Sequence, residues 1–108
     1  MKNEENVLCE ANSYTQTYYF NTRFDKLPSA IRNELQILCV TYTEVVGGCL
    51  TMEFNEDGEL ELIVDSDERD YLFDEIGSVL KVKQMRMDHM ELFEALDLFY
   101  RAFYLEET

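Results

Sequence analysis

From Pro28 onward the apolar positions Ile31, Leu35, Leu38, Tyr42 and Val45 recur at spacings of four, three, four and three, which is one stripe of an amphipathic helix. Pro28 suits the first turn, where a missing N–H costs nothing. Gly47-Gly48 ends the run, because glycine accepts the left-handed conformation that closes a helix. A helix over about 28–46 follows.

The period then changes to two. Leu50, Met52 and Phe54 alternate with Thr51 and Glu53, and Leu60, Leu62 and Val64 alternate with Glu61 and Ile63 beyond Glu56-Asp57-Gly58. A three-residue loop closing on glycine fits a type I turn with a G1 bulge, so 49–65 reads as a β-hairpin. With that loop, Phe54 faces Leu60, Met52 faces Leu62 and Leu50 faces Val64, while Glu53 stands opposite Glu61 on the other face. Like charges so placed cost a few tenths to about 1 kcal/mol. The pair therefore calls for relief by water and salt, or by an Arg or Lys of this chain or another.

After the hairpin, Ser66 or Asp67 can cap a helix starting near 67, with Leu72, Ile76 and Val79 or Leu80 as its apolar side. Unbroken helix from 67 to 105 would run nearly 60 Å at 1.5 Å per residue, long for so small a chain. Asp88 and Glu91 form a capping pair, which puts a break near 84–88. The last helix, to about 105, is polar only along Glu91, Glu94, Asp97 or Leu98, and Arg101. A helix apolar on most sides is buried on most sides. In the N-terminal segment Ser13 with Gln16 resembles a capping box, yet Thr15, Thr17, Tyr18, Tyr19 and Phe20 suit a strand. A lone hairpin is marginal, which favours the strand. The expected fold is α+β: one domain over 1–108, an antiparallel hairpin extended by an N-terminal third strand and packed against three helices.

Charge narrows the partners. The chain has 23 acids against 9 bases, a net −14, and such a field repels polyanions, so neither nucleic acid nor an anionic membrane surface is expected. No apolar run approaches the ~20 residues a membrane span needs. Between Glu53 and Glu75 eleven acids face the single base Arg69. This stretch reads as a solvated face that keeps the chain soluble, or as a surface for a basic protein or a divalent cation. Its partner-binding residues would be Glu53, Glu59, Glu61, Asp65, Asp67, Glu68, Asp70 and Asp74.

Asp65 and Asp67 form an Asp-x-Asp, but Arg69, Asp70 and Ile76 stand where an EF-hand loop requires an Asp or Asn, a Gly and a Glu. Cys9, Cys39, Cys49 and His89 lie 30, 10 and 40 residues apart with no C-x₂-C knuckle, which argues against a closed zinc site. Cys39 and Cys49 sit where small buried hydrophobes are ordinary, and His89 is expected to face solvent. An odd cysteine count and a start, MKNEENVLCE, without an apolar signal core point to a reduced, cytoplasmic compartment. No phosphate loop, nucleophile elbow or dinucleotide fingerprint occurs. No catalytic residue, metal or cofactor is implied.

The run LQILCVTYTEVVGG, the following LTMEFNEDGELELIVDSDERDYLFDEIGSVLK and the Phe/Tyr-rich end resemble a small family of uncharacterised acidic proteins of similar length from Firmicutes bacteria. The resemblance implies a cytosolic bacterial origin. It brings neither an activity nor functional residues.

Two functional expectations result. The first is a non-enzymatic protein-interaction or regulatory module whose acidic segment meets a basic partner; the alternative is a small metal-dependent hydrolase using the same carboxylates. Self-association is also expected. Phe93, Leu96, Phe99, Tyr100, Phe103 and Tyr104 span more of the last helix than two neighbours can cover, and a two-fold homodimer would hide the remainder. The competing arrangement folds the N-terminal segment, with Tyr14, Tyr18, Tyr19 and Phe20, over that helix.

Overall fold

A computed structural model describes residues 4–105. Strands β1 (Val7–Asn12) and β2 (Thr17–Phe20) precede helix α1 (Ser29–Val46); strands β3 (Cys49–Phe54) and β4 (Leu60–Asp65) follow, then helices α2 (Glu75–Asp88) and α3 (Met90–Tyr100), with a π-helical turn at Arg101–Leu105. The four strands form one antiparallel sheet in the order β2-β1-β3-β4. The fold is α+β, with one strand more than the sequence pattern suggested.

The hairpin register is as the alternation required. Phe54 pairs with Leu60, Met52 with Leu62, Leu50 with Val64 and Glu53 with Glu61. Gly58 takes φ 79° in the connecting turn, and the Asn55 side chain accepts from the N–H groups of Asp57 and Glu59. β1 extends the sheet by setting Cys9 against Met52 and Ala11 against Leu50. Between Val7 and Cys9 the register slips, leaving Leu8 as an extra residue, and Leu8 and Cys9 are both fully buried.

α1 and α3 lie on the face carrying Leu50, Met52 and Phe54. α1 buries Leu35, Cys39 and Tyr42, and α3 buries Leu92, Phe93, Leu96 and Tyr100. Val45, expected on the apolar stripe of α1, faces solvent instead, while Leu35, Cys39 and Tyr42 of that helix are buried. α1 closes as expected, with Gly47 at φ 85° and Gly48 at φ 71°.

Three further expectations are corrected. The helix expected from 67 begins at Glu75: Asp67 spends its side chain on the N–H of Arg69, two residues on, and the helix is capped by Asp74, which accepts from the N–H of Gly77. α2 then buries Ser78 and Met85, while Leu72, Ile76, Val79 and Leu80 are exposed. Finally, the break expected near 84–88 is present, at His89 with φ −126°, but Asp88 accepts from the Gln84 amide rather than capping α3. Ser13 and Gln16 belong to the β1–β2 turn, where Gln16 adopts φ 55°, and the Asn12 side chain accepts from the N–H groups of Tyr14 and Thr15.

Candidate functional site: the acidic segment

The acidic residues between β3 and α2 do not converge. Glu53 and Glu61 face each other on the side of the sheet away from Leu50 and Met52, where Tyr19, Glu10, Thr51 and Ile63 form the adjoining cross-strand row. Glu59, Glu61 and Asp65 are exposed along β4 and its turn. Among the described residues no lysine or arginine meets Glu61. The Asn55 amide donates to it at 3.3 Å and reaches Glu59 at 3.5 Å.

Past β4, Asp67 and Asp70 are organised by a distant tyrosine. The Tyr14 hydroxyl donates to Asp70 at 2.6 Å and accepts from the N–H of Asp67 at 3.1 Å, tying the β1–β2 turn to the loop after β4. Asp67 also holds Arg69 through two side-chain contacts of 3.2 Å. That guanidinium lowers the Asp67 pKa below its ordinary value, and the bond to Asp70 raises that of Tyr14. Asp74 is committed to capping α2, and Glu68 is exposed. Among the described residues no set of three His, Cys, Asp or Glu side chains is placed to hold a metal ion.

A cleft of about 840 Å³ opens elsewhere, between the β1–β2 turn and α1. Its walls include Asn12, Gln16, Thr17, Gln36 and Thr43, with Glu44 the single carboxylate among the lining residues, so it brings no second carboxylate for acid–base work. Below it, Cys9 and Cys39 are fully buried with their sulfurs 3.7 Å apart. Their mutual hydrogen bond and burial push the Cys39 thiol far above its ordinary pKa, which keeps it protonated and unreactive. His89 is half-buried rather than facing solvent, its Nδ1 lying 3.9 Å from Glu34.

The aromatic residues of the last helix are largely consumed inside the chain. Phe93, Leu96 and Tyr100 are buried, Phe99 and Tyr104 pack against the core, and Phe103 is exposed. Their cover is N-terminal, as in the competing arrangement, but comes from residues that aromatic counting overlooked. Phe24 packs edge-on to Tyr104 and against Phe54, which stacks on Tyr100 at 4.2 Å. The Tyr100 hydroxyl donates to Asn6 and that of Tyr104 to the carbonyl of Arg23. Two polar residues in this layer also escaped sequence reasoning: Asp97 accepts from the N–H of Leu60, and Arg86 donates to its carbonyl.

Residues 5–108 match the model of DUF6145, a family of unknown function, and the chain belongs to that family. No curated protein and no solved structure matches it. No helix of the described residues is long and apolar enough to cross a membrane.

Proposed function

We propose that this chain is a non-enzymatic protein-interaction module of the bacterial cytosol, of Firmicutes origin, whose acidic sheet surface receives a basic segment of another protein. The observation that carries the reading is Glu53 paired with Glu61 across β3 and β4. Two carboxylates in that relation destabilise the hairpin, and an amide beside one of them offsets little of the repulsion. A lysine or arginine from a partner supplies the missing counter-charge. Exposed Tyr19 and Ile63, at the two ends of the neighbouring row, give such a partner apolar contacts beside Glu53 and Glu61.

The spread of the carboxylates favours this reading over the metal-dependent hydrolase. Asp67, Asp70 and Asp74 are engaged with Arg69, Tyr14 and the N–H of Gly77, so they are not gathered about a common point. Affinity capture from bacterial lysate tests the proposal when wild type is compared with a Glu53→Gln/Glu61→Gln variant at low salt and at 1 M. Proteins retained by wild type should be lost by the variant, and lost again as the screening length falls to about 3 Å at 1 M. Equal retention by the variant would remove these two carboxylates as the binding feature.

A further inference from the structure

β4 is an edge of the sheet, with β3 on one side and no strand on the other among the described residues. The Asn55 N–H donates to the Glu59 carbonyl, and hydrogen-bonded pairs recur at every second residue of an antiparallel ladder. Glu61, Ile63 and Asp65 therefore turn their N–H and C=O groups toward β3, and Leu60, Leu62 and Val64 turn theirs outward. At Leu60 both groups are taken, by Asp97 and Arg86. At Leu62 and Val64 neither group finds a partner among the described residues. The open edge is short, and two helices close it off at its first residue.

The side chains along this edge separate by face. Glu61, Ile63 and Asp65 are exposed on the outer face, whereas Leu62 and Val64 lie on the inner face, partly buried against the core. Val79 of α2, 52% exposed, stands seven residues before Arg86 and so shares the side of the helix from which Arg86 reaches Leu60. Glu75 and Lys83 flank Val79 at four residues either way, one acid and one base, which leaves the inner side close to neutral. The outer side is acidic. The neighbouring arginines are engaged: Arg69 with Asp67, Arg86 with the Leu60 carbonyl and the Phe93 ring, Arg101 with the Asp57 carbonyl.

These charges select what can add to the edge. A second copy pairing antiparallel about Ile63 would set Glu61 against Asp65 at both ends, and like charges directly opposite are destabilising. A basic strand meets the reverse situation.

We propose that β4 accepts an extended segment of the basic partner as a further strand, antiparallel like every neighbour in this sheet. Lysine or arginine then stands opposite Glu61 and Asp65, and apolar residues stand opposite Leu62, Ile63 and Val64. Resting on the basic partner proposed above, this arrangement holds it by main-chain bonds to Leu62 and Val64 and selects it through its alternating side chains.

The probe is a capped synthetic peptide with the core Lys-Val-Ile-Val-Lys, titrated into the full chain and read by amide hydrogen exchange. At about ten times its Kd, exchange at the Leu62 and Val64 N–H groups should slow about tenfold, while Glu61 and Ile63, already bonded to β3, change little. The same peptide N-methylated at both valines keeps its charge but loses the donors that face Leu62 and Val64, and should bind at least about tenfold more weakly. Glu53→Gln/Glu61→Gln should weaken the parent peptide about two- to fivefold. An N-methylated peptide that binds as well as its parent overturns strand addition and leaves the acidic surface as the binding feature. Binding lost on N-methylation yet untouched by Glu53→Gln/Glu61→Gln sustains strand addition and overturns the reading of those two carboxylates. A parent peptide that slows exchange at neither Leu62 nor Val64 overturns the proposal outright.

Discussion

The carboxylate of Asp97, on α3, accepts a 2.9 Å hydrogen bond from the backbone N–H of Leu60, the first residue of β4. Leu60 is almost fully buried, and its carbonyl receives Arg86 from α2 at 2.7 Å. Both polar groups of this strand end are therefore satisfied by helices. Asp97→Ala leaves a buried donor without an acceptor, which costs about 1–3 kcal/mol. Urea unfolding should show a lower midpoint at unchanged slope, with Asp97→Asn, which keeps an acceptor oxygen, losing less.

Glu61→Gln should act in the opposite direction. It removes one of two like charges paired across the hairpin, and a gain of a few tenths to about 1 kcal/mol is expected. Adding salt to the wild type should recover part of the same gain, since salt screens the repulsion. A variant less stable than wild type in low salt would show that the pair is already neutralised within the chain.

The hairpin was legible because two signals agreed: apolar residues at every second position and a three-residue loop closed by Gly58. α1 was legible for the same reason, between Pro28 and Gly47. β1 was not, because the bulge at Leu8 breaks the alternation that marks a strand and puts Val7, Leu8 and Cys9 into consecutive buried positions. The loop from Ser66 to Asp74 was misread as helix because Asp67 is a good cap by type. The turn that Asp67 joins is held by local bonds from Arg69 and Asp70 and by the bond the Asp67 N–H donates to the Tyr14 hydroxyl, 53 residues away, which no local pattern shows. The acidic surface was legible as composition and not as geometry, since residue order along the chain does not say which carboxylates are committed to caps and turns.

Tyr18 makes stability fall at alkaline pH. Among the described residues its buried hydroxyl has no hydrogen-bond partner of good geometry, and burial first, then the nearby Cys9 and Cys39 thiols, raise its pKa far above 10.0. Burial likewise raises Tyr42, whose hydroxyl donates to the Ser78 carbonyl. The unfolded chain releases these protons near pH 10, whereas the folded chain holds them to higher pH. Stability is thus fully present below about pH 10 and declines above it. Tyr18→Phe should flatten that decline in urea titrations between neutral and alkaline pH. At neutral pH it should also stabilise the chain, because the hydroxyl it removes is an unsatisfied buried group worth about 1 kcal/mol or more.

Gly47 and Gly48 both lie at positive φ, yet substitution should separate them. A Cβ at Gly47 would come no closer than 4.0 Å to Phe73, whereas one at Gly48 would stand 2.5 Å from the Asp65 carbonyl oxygen and 2.8 Å from the Phe73 ring. Both alanine variants carry a positive-φ penalty, which at Gly47, where φ 85° is joined to ψ −173°, is about 1–3 kcal/mol. Gly48→Ala must in addition displace backbone at the end of β4, where Asp65 pairs with Cys49. The expected order in thermal unfolding is wild type, then Gly47→Ala, then Gly48→Ala. The larger loss should be accompanied by faster hydrogen exchange at the Cys49–Asp65 end of the hairpin. Equal losses from the two substitutions would mean that the approach of β4 to Gly48 is slack enough to accept a methyl group, and that backbone conformation alone sets the requirement for glycine.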